Sequence, residues 1–380
     1  MPILEIMFWT AFGLTAYTLA IYPFFALVLA TIVRRKVDKK PITPHVSFII
    51  AAYNEERVIA DKILKTLAMD YPMDKLEIIV ASDGSMDRTD EIVNSFAARG
   101  VKLNRVEGRK GKTNALNETV KVATGDIVVF SDATGIYNRE AVRELAANFN
   151  DPTVGCVTGR VAYSYGKDAN SKGFKVYQRF AVRIRRAETY FGSQTSVSGS
   201  IHAVRRDLFR PAIPEHTSDV IDAVHTVIQG YRVVYENEAV ALEESRASAK
   251  DEFRCRVRIG IRALTMIPYI LSQLFGSRKI GYAFQMISHK VLRWWLWCWL
   301  LIALVTNAVL ASYSLVFTVL GTAQAIFYGM GILGLVLGKW KVKLPLLSSL
   351  AFFLLANAAM CVATFKYFTG KRMATWEPVR

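Results

Sequence analysis

Cysteine and acidic residues are both scarce in this 380-residue chain. Its four cysteines, Cys156, Cys255, Cys298 and Cys361, are scattered. They show neither the paired spacing of metal ligands nor the density of a disulfide framework, which suits a reducing cytosol and a membrane interior. Asp and Glu number 32 against 48 Lys and Arg, a formal net charge of +16. That excess raises the question of nucleic acid, but no recognition module accompanies it. The basic residues stand beside apolar runs, where anionic headgroups or an anionic substrate would meet them, so no nucleic-acid partner is expected. Internal repeats and low-complexity tracts are also missing. The first apolar run lacks a basic start and is longer than the roughly 7–15 residues of a signal-peptide core, so we read it as a retained anchor.

Long apolar runs are present at both ends. Residues 6–33, 291–338 and 344–365 are each long enough to cross a hydrocarbon layer of roughly 30 Å, which about 20 helical residues span. Arg34, Arg35 and Lys36 follow the first run, and His289, Lys290 and Arg293 flank the second. Positive residues favour the cytosolic side, which places the N-terminus outside and the middle of the chain in the cytosol. Splitting 291–338 near residues 311–314 gives two spans, with Lys339, Lys341 and Lys343 returning to the cytosol. A fourth span would put Lys366, Lys371, Arg372 and Arg380 outside, against the charge rule. Either one segment is re-entrant or the tail lies at an interface. The expected organisation is an anchor and linker over 1–40, a cytosolic catalytic domain over 41–259, an interfacial amphipathic segment over 260–284, C-terminal membrane helices over 285–369 and a tail over 370–380.

Residues 46–53 (VSFIIAAY) and 76–81 (LEIIVA) read as buried strands, with a helix over 55–69 between them that Pro72 ends. A helix over 88–98, a strand over 101–106, a helix over 113–123 and a strand over 127–130 continue the alternation. Strands alternating with helices imply right-handed crossovers and a mainly parallel sheet covered on both faces, so the fold class is α/β. Beyond residue 151 the rhythm loosens: strands at 154–163 and 198–206 surround a helix near 174–190, followed by a helix over 218–229 and a strand over 231–235. A helix over 254–275 keeps an apolar face opposite its arginines as far as Pro268, which suits a position in the membrane interface.

Ligands of such sheets bind beyond the carboxyl ends of the strands. Three acidic residues close segments that can converge there: Asp83, Asp132 and Asp219. Asp also favours turns and helix caps, so position alone leaves both roles open. Ala51, Tyr53 and Glu55 end a strand at the same edge, where a base and ribose fit. Lys110 and Lys112 precede a helix whose N–H groups suit a diphosphate.

AAYNEE (51–56), SDGSMDRTD (82–90), GKTNALN (111–117), GDIVVFSDATG (125–135), SGSIHAVRRDLF (198–209) and GYRVVYENEA (230–239) follow one another in this order. Together they resemble the family-two inverting glycosyltransferases of the cellulose, hyaluronan, chitin and poly-N-acetylglucosamine synthase group. The resemblance implies a Rossmann-like, GT-A type nucleotide-sugar-binding domain inserted between transmembrane helices of a cytoplasmic (inner) membrane. It makes Ala51, Tyr53, Glu55 and Asp83 nucleotide contacts and Lys112 a diphosphate contact. Asp132 matches the first Asp of the family's metal-binding Asp-x-Asp, implying Mg²⁺ or Mn²⁺, but Thr134 stands where the second carboxylate belongs. Asp219 falls at the catalytic base, after Ser218 where an acidic residue is usual. The family's Gln-x-x-Arg-Trp aligns with residues 255–259. Its arginine survives as Arg258, and Arg256 beside it is counted with the diphosphate contacts. The amide and the aromatic platform are replaced by Cys255 and Ile259. Arg254, Arg256, Arg258 and Arg262 have the alternative of reaching lipid phosphates.

Trp294 and Trp295 read as an interfacial belt, and His202 as structural, with Ser198, Gly199 and Ser200 available to shape an acceptor pocket. The expected function is transfer of a sugar from a nucleotide-sugar, in the first place a UDP-sugar, to a growing exopolysaccharide. The alternatives are single transfer to a lipid-linked acceptor, or a catalytically silent saccharide-binding subunit. The partners this implies are the donor, the glycan or lipid-linked acceptor, membrane lipids, and export or synthase subunits.

Overall fold

A computed structural model of the chain describes residues 1–164, 171–244, 249–339, 344–373 and 375. Lys341, Lys343 and Arg380, which entered the topology expectation, lie outside the described residues. The centre of the molecule is an 8-stranded sheet ordered β3-β2-β1-β4-β7-β6-β8-β5. Its strands are β1 (Val46–Ala52), β2 (Leu76–Ser82), β3 (Val101–Arg105), β4 (Ile127–Asp132), β5 (Ile136–Tyr137), β6 (Val154–Ser164), β7 (Ile201–Arg205) and β8 (Arg232–Glu244).

The first four strands are mutually parallel, joined by the helices Ile59–Leu67, Thr89–Asn94 and Lys112–Val122. β7 is antiparallel to both β4 and β6, β8 runs parallel to β6, and β5 pairs antiparallel with β8. The β1 sequence VSFIIAA is apolar almost throughout because both its faces are covered. Phe48 and Ile50 face a core shared with Ile59, Ile63, Val93, Val142 and Leu145. Ile49 faces the opposite core, with Leu116, Phe130, Val220, Ile221 and Val224.

β8 is longer than the expected 231–235. Glu236 does not end it, because its carboxylate is buried and bonded to Lys39 at 2.7 Å and to Asn148 at 2.8 Å. A buried charge with two partners is tolerated inside a strand.

Helix Ala249–Gly276 continues through Pro268 instead of stopping there. Ala263, Met266, Ile270 and Leu274 belong to the core above β4 and β7, while Val257 and Ile261 pack on Ala359 and Ala363 of helix Pro345–Phe368. One helix therefore joins the sheet domain to the apolar C-terminal helices. Gly260 allows the close approach, since a Cβ there would lie 2.6 Å from the Ala363 methyl carbon.

Among the described residues, four helical segments are long and apolar enough to cross a membrane: Pro2–Val33, Ala249–Gly276, Leu315–Gly338 and Pro345–Phe368. The bent pair Ile280–Trp294 and Leu296–Leu310 makes a fifth if it counts as one span. The first, third and fourth runs coincide with sequence expectation. Residues 254–275 were expected to lie in the interface, and the helix Ala249–Gly276 that contains them passes by length and composition despite its arginines. Two π-helical turns, Tyr17–Ile21 and Ile287–Val291, face each other through a 2.8 Å bond between the Tyr17 and Ser288 hydroxyls. Trp294, expected in an interfacial belt, packs partly buried against the core that contains Phe130.

Candidate active site

The carboxyl ends of β1, β2 and β4 meet at one rim, because register aligns Ala51 with Ala81 on one side and with Asp132 on the other. The loop after β2 turns sharply at Gly84, whose φ is +69° and where a Cβ would lie 2.9 Å from the Gly108 carbonyl. That approach brings the loop over 108–111 against Asp83. Both Asp83 oxygens are then taken by backbone: Oδ1 accepts from the Lys110 and Gly111 N–H groups at 2.9 and 3.0 Å, and Oδ2 from Gly111 at 2.9 Å. Burial pushes the Asp83 carboxyl up, and these N–H donors pull in the opposite direction.

Two sequence expectations change here. Asp83 holds the loop rather than presenting a free carboxylate to a nucleotide. The N–H groups of Lys110 and Gly111, offered to a diphosphate by the sequence, are committed to Asp83, which occupies the start of helix Lys112–Val122 as an anion does.

The Lys112 ammonium remains available on that helix. It pairs with Asp132 Oδ1 and donates to the Gly199 carbonyl at 3.1 Å. Asp132 Oδ2 accepts from the Ser200 hydroxyl at 3.1 Å. Both side chains of the pair stay accessible, Lys112 at 26% and Asp132 at 33%. The 198–200 turn is fixed in its place by His202: its Nδ1 lies 2.8 Å from the Ser198 carbonyl and its Nε2 3.0 Å from Asp222 in helix Ser218–Ile228. His202 is therefore structural, as its sequence position suggested.

Asp219, in the first turn of the same helix, connects to this turn through its carbonyl, which accepts from the Val197 N–H at 2.8 Å. Arg262 closes the adjoining side. Its guanidinium donates to Thr113 Oγ1 at 3.0 Å, to the Pro214 carbonyl at 3.2 Å and to the His216 carbonyl. Arg262 and Lys290 both lie within electrostatic reach of Asp219. Asp83 and Asp132 are thus linked through Gly111–Lys112, and the Asp219 backbone joins the adjoining 197–200 turn.

The remaining expected residues divide. Tyr53 lies at the rim with the Arg109 guanidinium 4.2 Å above its ring. The Glu55 N–H is held by Thr89 Oγ1 at 2.7 Å, which fixes the turn after β1. Arg258 is near Arg262, on the side of helix Ala249–Gly276 that faces the site. Arg256 is not brought to the rim: it pairs with Glu252 at 2.8 Å and stacks 4.4 Å over Phe352 of helix Pro345–Phe368. Its place two residues before Arg258, about 200° around the helix, turns it toward the neighbouring helix.

Sequence reasoning overlooked Lys62. Its ammonium is 1% exposed and donates to Ser131 Oγ at 2.6 Å and to the Gly135 carbonyl, bracketing the Asp132 turn from beneath. The Tyr137 ring lies 4.4 Å away, and its hydroxyl bonds the carbonyls of Phe130 and Ser200 at 3.0 and 2.8 Å. Burial draws the Lys62 ammonium down to about 7, against the pull of Asp132. The one available signal was a lysine three residues after Ile59, on the apolar stripe of its helix.

Among the described residues no three or more His, Cys, Asp or Glu side chains cluster as a metal site. A single accessible carboxylate bordered by hydroxyls does fit an ion shared with a donor's phosphates, since Mg²⁺ commonly takes one or two carboxylates and completes its shell with phosphate and water.

The family described as Glycosyl transferase family 2 matches residues 47–211. The chain is 30% identical over 221 residues to the poly-beta-1,6-N-acetyl-D-glucosamine synthase of Staphylococcus aureus, covering 54% of this chain and 52% of that protein. The synthase of Staphylococcus epidermidis is 28% identical over 201 residues, covering 52% and 47%. The chain thus spans about half the length of these curated relatives. A mannosyltransferase from Pyrobaculum calidifontis, solved with GDP-Man and Mn²⁺, superposes over 97% of this chain and 99% of that one, with a TM-score of 0.66 and 23% identity. That likeness shows a shared GT-A-like fold, with apolar helices on both sides of the sheet domain in this chain. Residues 47–211 thus form a glycosyltransferase domain of family 2. The chain is related to the poly-N-acetylglucosamine synthases over roughly half its length.

Proposed function

We propose that the chain is a membrane-embedded inverting glycosyltransferase that takes its sugar from a UDP-sugar and adds it to a growing exopolysaccharide. The catalytic domain over 41–259 lies on the cytosolic side of a cytoplasmic membrane. The segment over 260–284 runs along the interface, and the helices over 285–369 lie in the bilayer. The observation that carries the enzymatic part is the accessible Lys112–Asp132–Ser200 cluster, tied through residues 197–200 to Asp219.

Asp219 accepts the proton of the acceptor hydroxyl as that oxygen attacks the anomeric carbon. The bond from the anomeric carbon to the diphosphate breaks on the opposite face, so configuration inverts. Charge builds on the leaving diphosphate. Lys112 turns from Asp132 toward it, and Arg258 and Arg262 add positive potential from the membrane side. Tyr53 and Glu55 grip the nucleotide, with Ala51 leaving room at the strand end. A Mg²⁺ or Mn²⁺ ion held by Asp132 together with donor phosphates would neutralise the leaving group, contributing several kcal/mol in the transition state. The Mn²⁺ of the Pyrobaculum mannosyltransferase agrees with such an ion.

Asp219→Asn tests the proposal. Purified with a panel of nucleotide-sugars, the variant should bind donor normally and transfer sugar about 10²–10⁴-fold more slowly, the usual contribution of a general base. Near-normal transfer would remove Asp219 from the mechanism. Release of nucleoside diphosphate by the unaltered protein eliminates the silent-subunit alternative.

One feature favours a second reading in which one sugar goes to a lipid-linked acceptor. Ile259, 48% exposed, replaces the aromatic platform on which a growing chain would rest. Product length decides between the two: a ladder of oligomers for elongation, one added sugar for the lipid reading.

A further inference from the structure

A second depression lies at the opposite end of helix Ser218–Ile228 from Asp219. Eight residues of helix, about 12 Å, separate Asp219 from Val227 in its lining. It has a volume of about 420 Å³. Phe25 and Leu29, one helical turn apart on Pro2–Val33, form one wall, and Phe284 forms another. Phe25 is 45% and Phe284 53% exposed, so this apolar wall is uncovered.

The polar lining has one sign. Arg35 and Lys279 stand in it together with Arg232, and among the described residues no acidic side chain lines it. Arg232 is only 4% exposed. Its Nη2 donates to the carbonyls of Arg35 and Thr189 at 3.0 and 2.9 Å, and its nearest carboxylate, Asp151, is 3.6 Å from Nη1. Its Nε is buried without an acceptor. An unmet charged donor in a buried position costs more than an ordinary missing bond, so an acceptor belongs there.

Three cations beside an uncovered apolar wall match a molecule with an anionic head and a hydrocarbon tail. A nucleotide would leave Phe25 and Phe284 in water, and an uncharged lipid would leave the cations unmatched. We propose that this depression binds one net-anionic phospholipid of the bilayer, its head on Arg35, Lys279 and Arg232 and its chains along Phe25, Leu29 and Phe284. Cations at a membrane surface attract such heads at about 1 kcal/mol each. The proposal rests on the membrane placement given above. It names a site that the sugar chemistry does not use.

The test titrates the purified full-length protein in mild detergent with phosphatidylglycerol or phosphatidylcholine and counts retained lipids by native mass spectrometry. One phosphatidylglycerol should bind at least tenfold more tightly than phosphatidylcholine. The double variant Arg35→Ala/Lys279→Ala, which alters no crevice residue, should lose that preference and keep its glycosyltransferase activity, while Arg35→Lys/Lys279→Arg retains it. Equal binding of the two lipids, or full binding by the alanine variant, overturns the proposal. So does displacement of the lipid by inorganic phosphate or UDP, which would mark a site for soluble anions. Recovery of the protein from cells without detergent would instead sink the membrane placement, whereas a detergent-requiring protein with no lipid preference sinks only this site.

Discussion

The parallel half of the sheet and the mixed half hold their rim residues by different means. On the parallel half, the loops after β1 and β3 are held by their N–H groups: the Asp83 carboxylate accepts from those of Lys110 and Gly111, and the Thr89 hydroxyl from that of Glu55. On the mixed half, the backbone is held by its carbonyls: His202 joins the Ser198 carbonyl to the Asp222 carboxylate, and the Tyr137 hydroxyl bridges the carbonyls of Phe130 and Ser200. Backbone clamps depend on turn geometry and tolerate varied side chains elsewhere. Side-chain bridges make the site depend on individual residues far apart in sequence. The proposed donor side is accordingly built from contiguous motifs, and the proposed acceptor side draws on residues farther apart in sequence.

Substitutions can break or sharpen this contrast. After Asp219→Asn, the largest effect expected is from Asp132→Ala, at the seam of the two halves. It removes the partner of Lys112 and of any bound ion, and kcat should fall about 100-fold, in the range for loss of an electrostatic stabiliser. Mn²⁺ titration by electron paramagnetic resonance with UDP present should show weaker ion binding. Asp83→Ala leaves two loop N–H groups without their acceptor and should cost about 1–3 kcal/mol. Thermal melting should show that loss together with a raised donor KM. If KM rises with no change in melting, Asp83 touches the nucleotide directly and the backbone-clamp description fails.

Lys62 gives a smaller effect with a definite sign. Its ammonium is drawn down to about 7 from the usual 10.5, so between those values the unfolded chain binds the extra proton. Stability should therefore rise with pH across that window, and this contribution is lost as pH falls through 7. Melting temperatures of Lys62→Met should lack that slope. The smallest effect is expected from Arg256→Ala. It loses its stacking on Phe352, worth about 0.5–1 kcal/mol, and should leave kcat within about twofold. A larger kinetic loss would return Arg256 to the diphosphate.

The contrast also explains what could be read from sequence. β1 and β2 are legible because burial on both faces writes them as unbroken apolar runs. The glycosyltransferase motifs follow because each lies in one continuous stretch at a strand end. Lys62 and Tyr137 were not legible as parts of the site, since their roles exist only once a helix and a short edge strand meet beneath Asp132. The far end of β8 was hidden because Glu236 looks like a strand terminator until Lys39 and Asn148 are placed beside it. Arg256 and Arg258 looked equivalent in sequence, and helical rotation separates them.

The glycine at position 260 has a consequence for biogenesis. Helix Ala249–Gly276 needs Ala363 and Met360 against its outer side, yet its inner side roofs the sheet core. During synthesis the roof is made long before the helix that backs it, so a nascent chain stopped near residue 300 would carry an unsupported lid. Maturation of the crevice is thereby timed to the arrival of a much later segment, and a bulky residue at 260 would delay or misdirect that final seating.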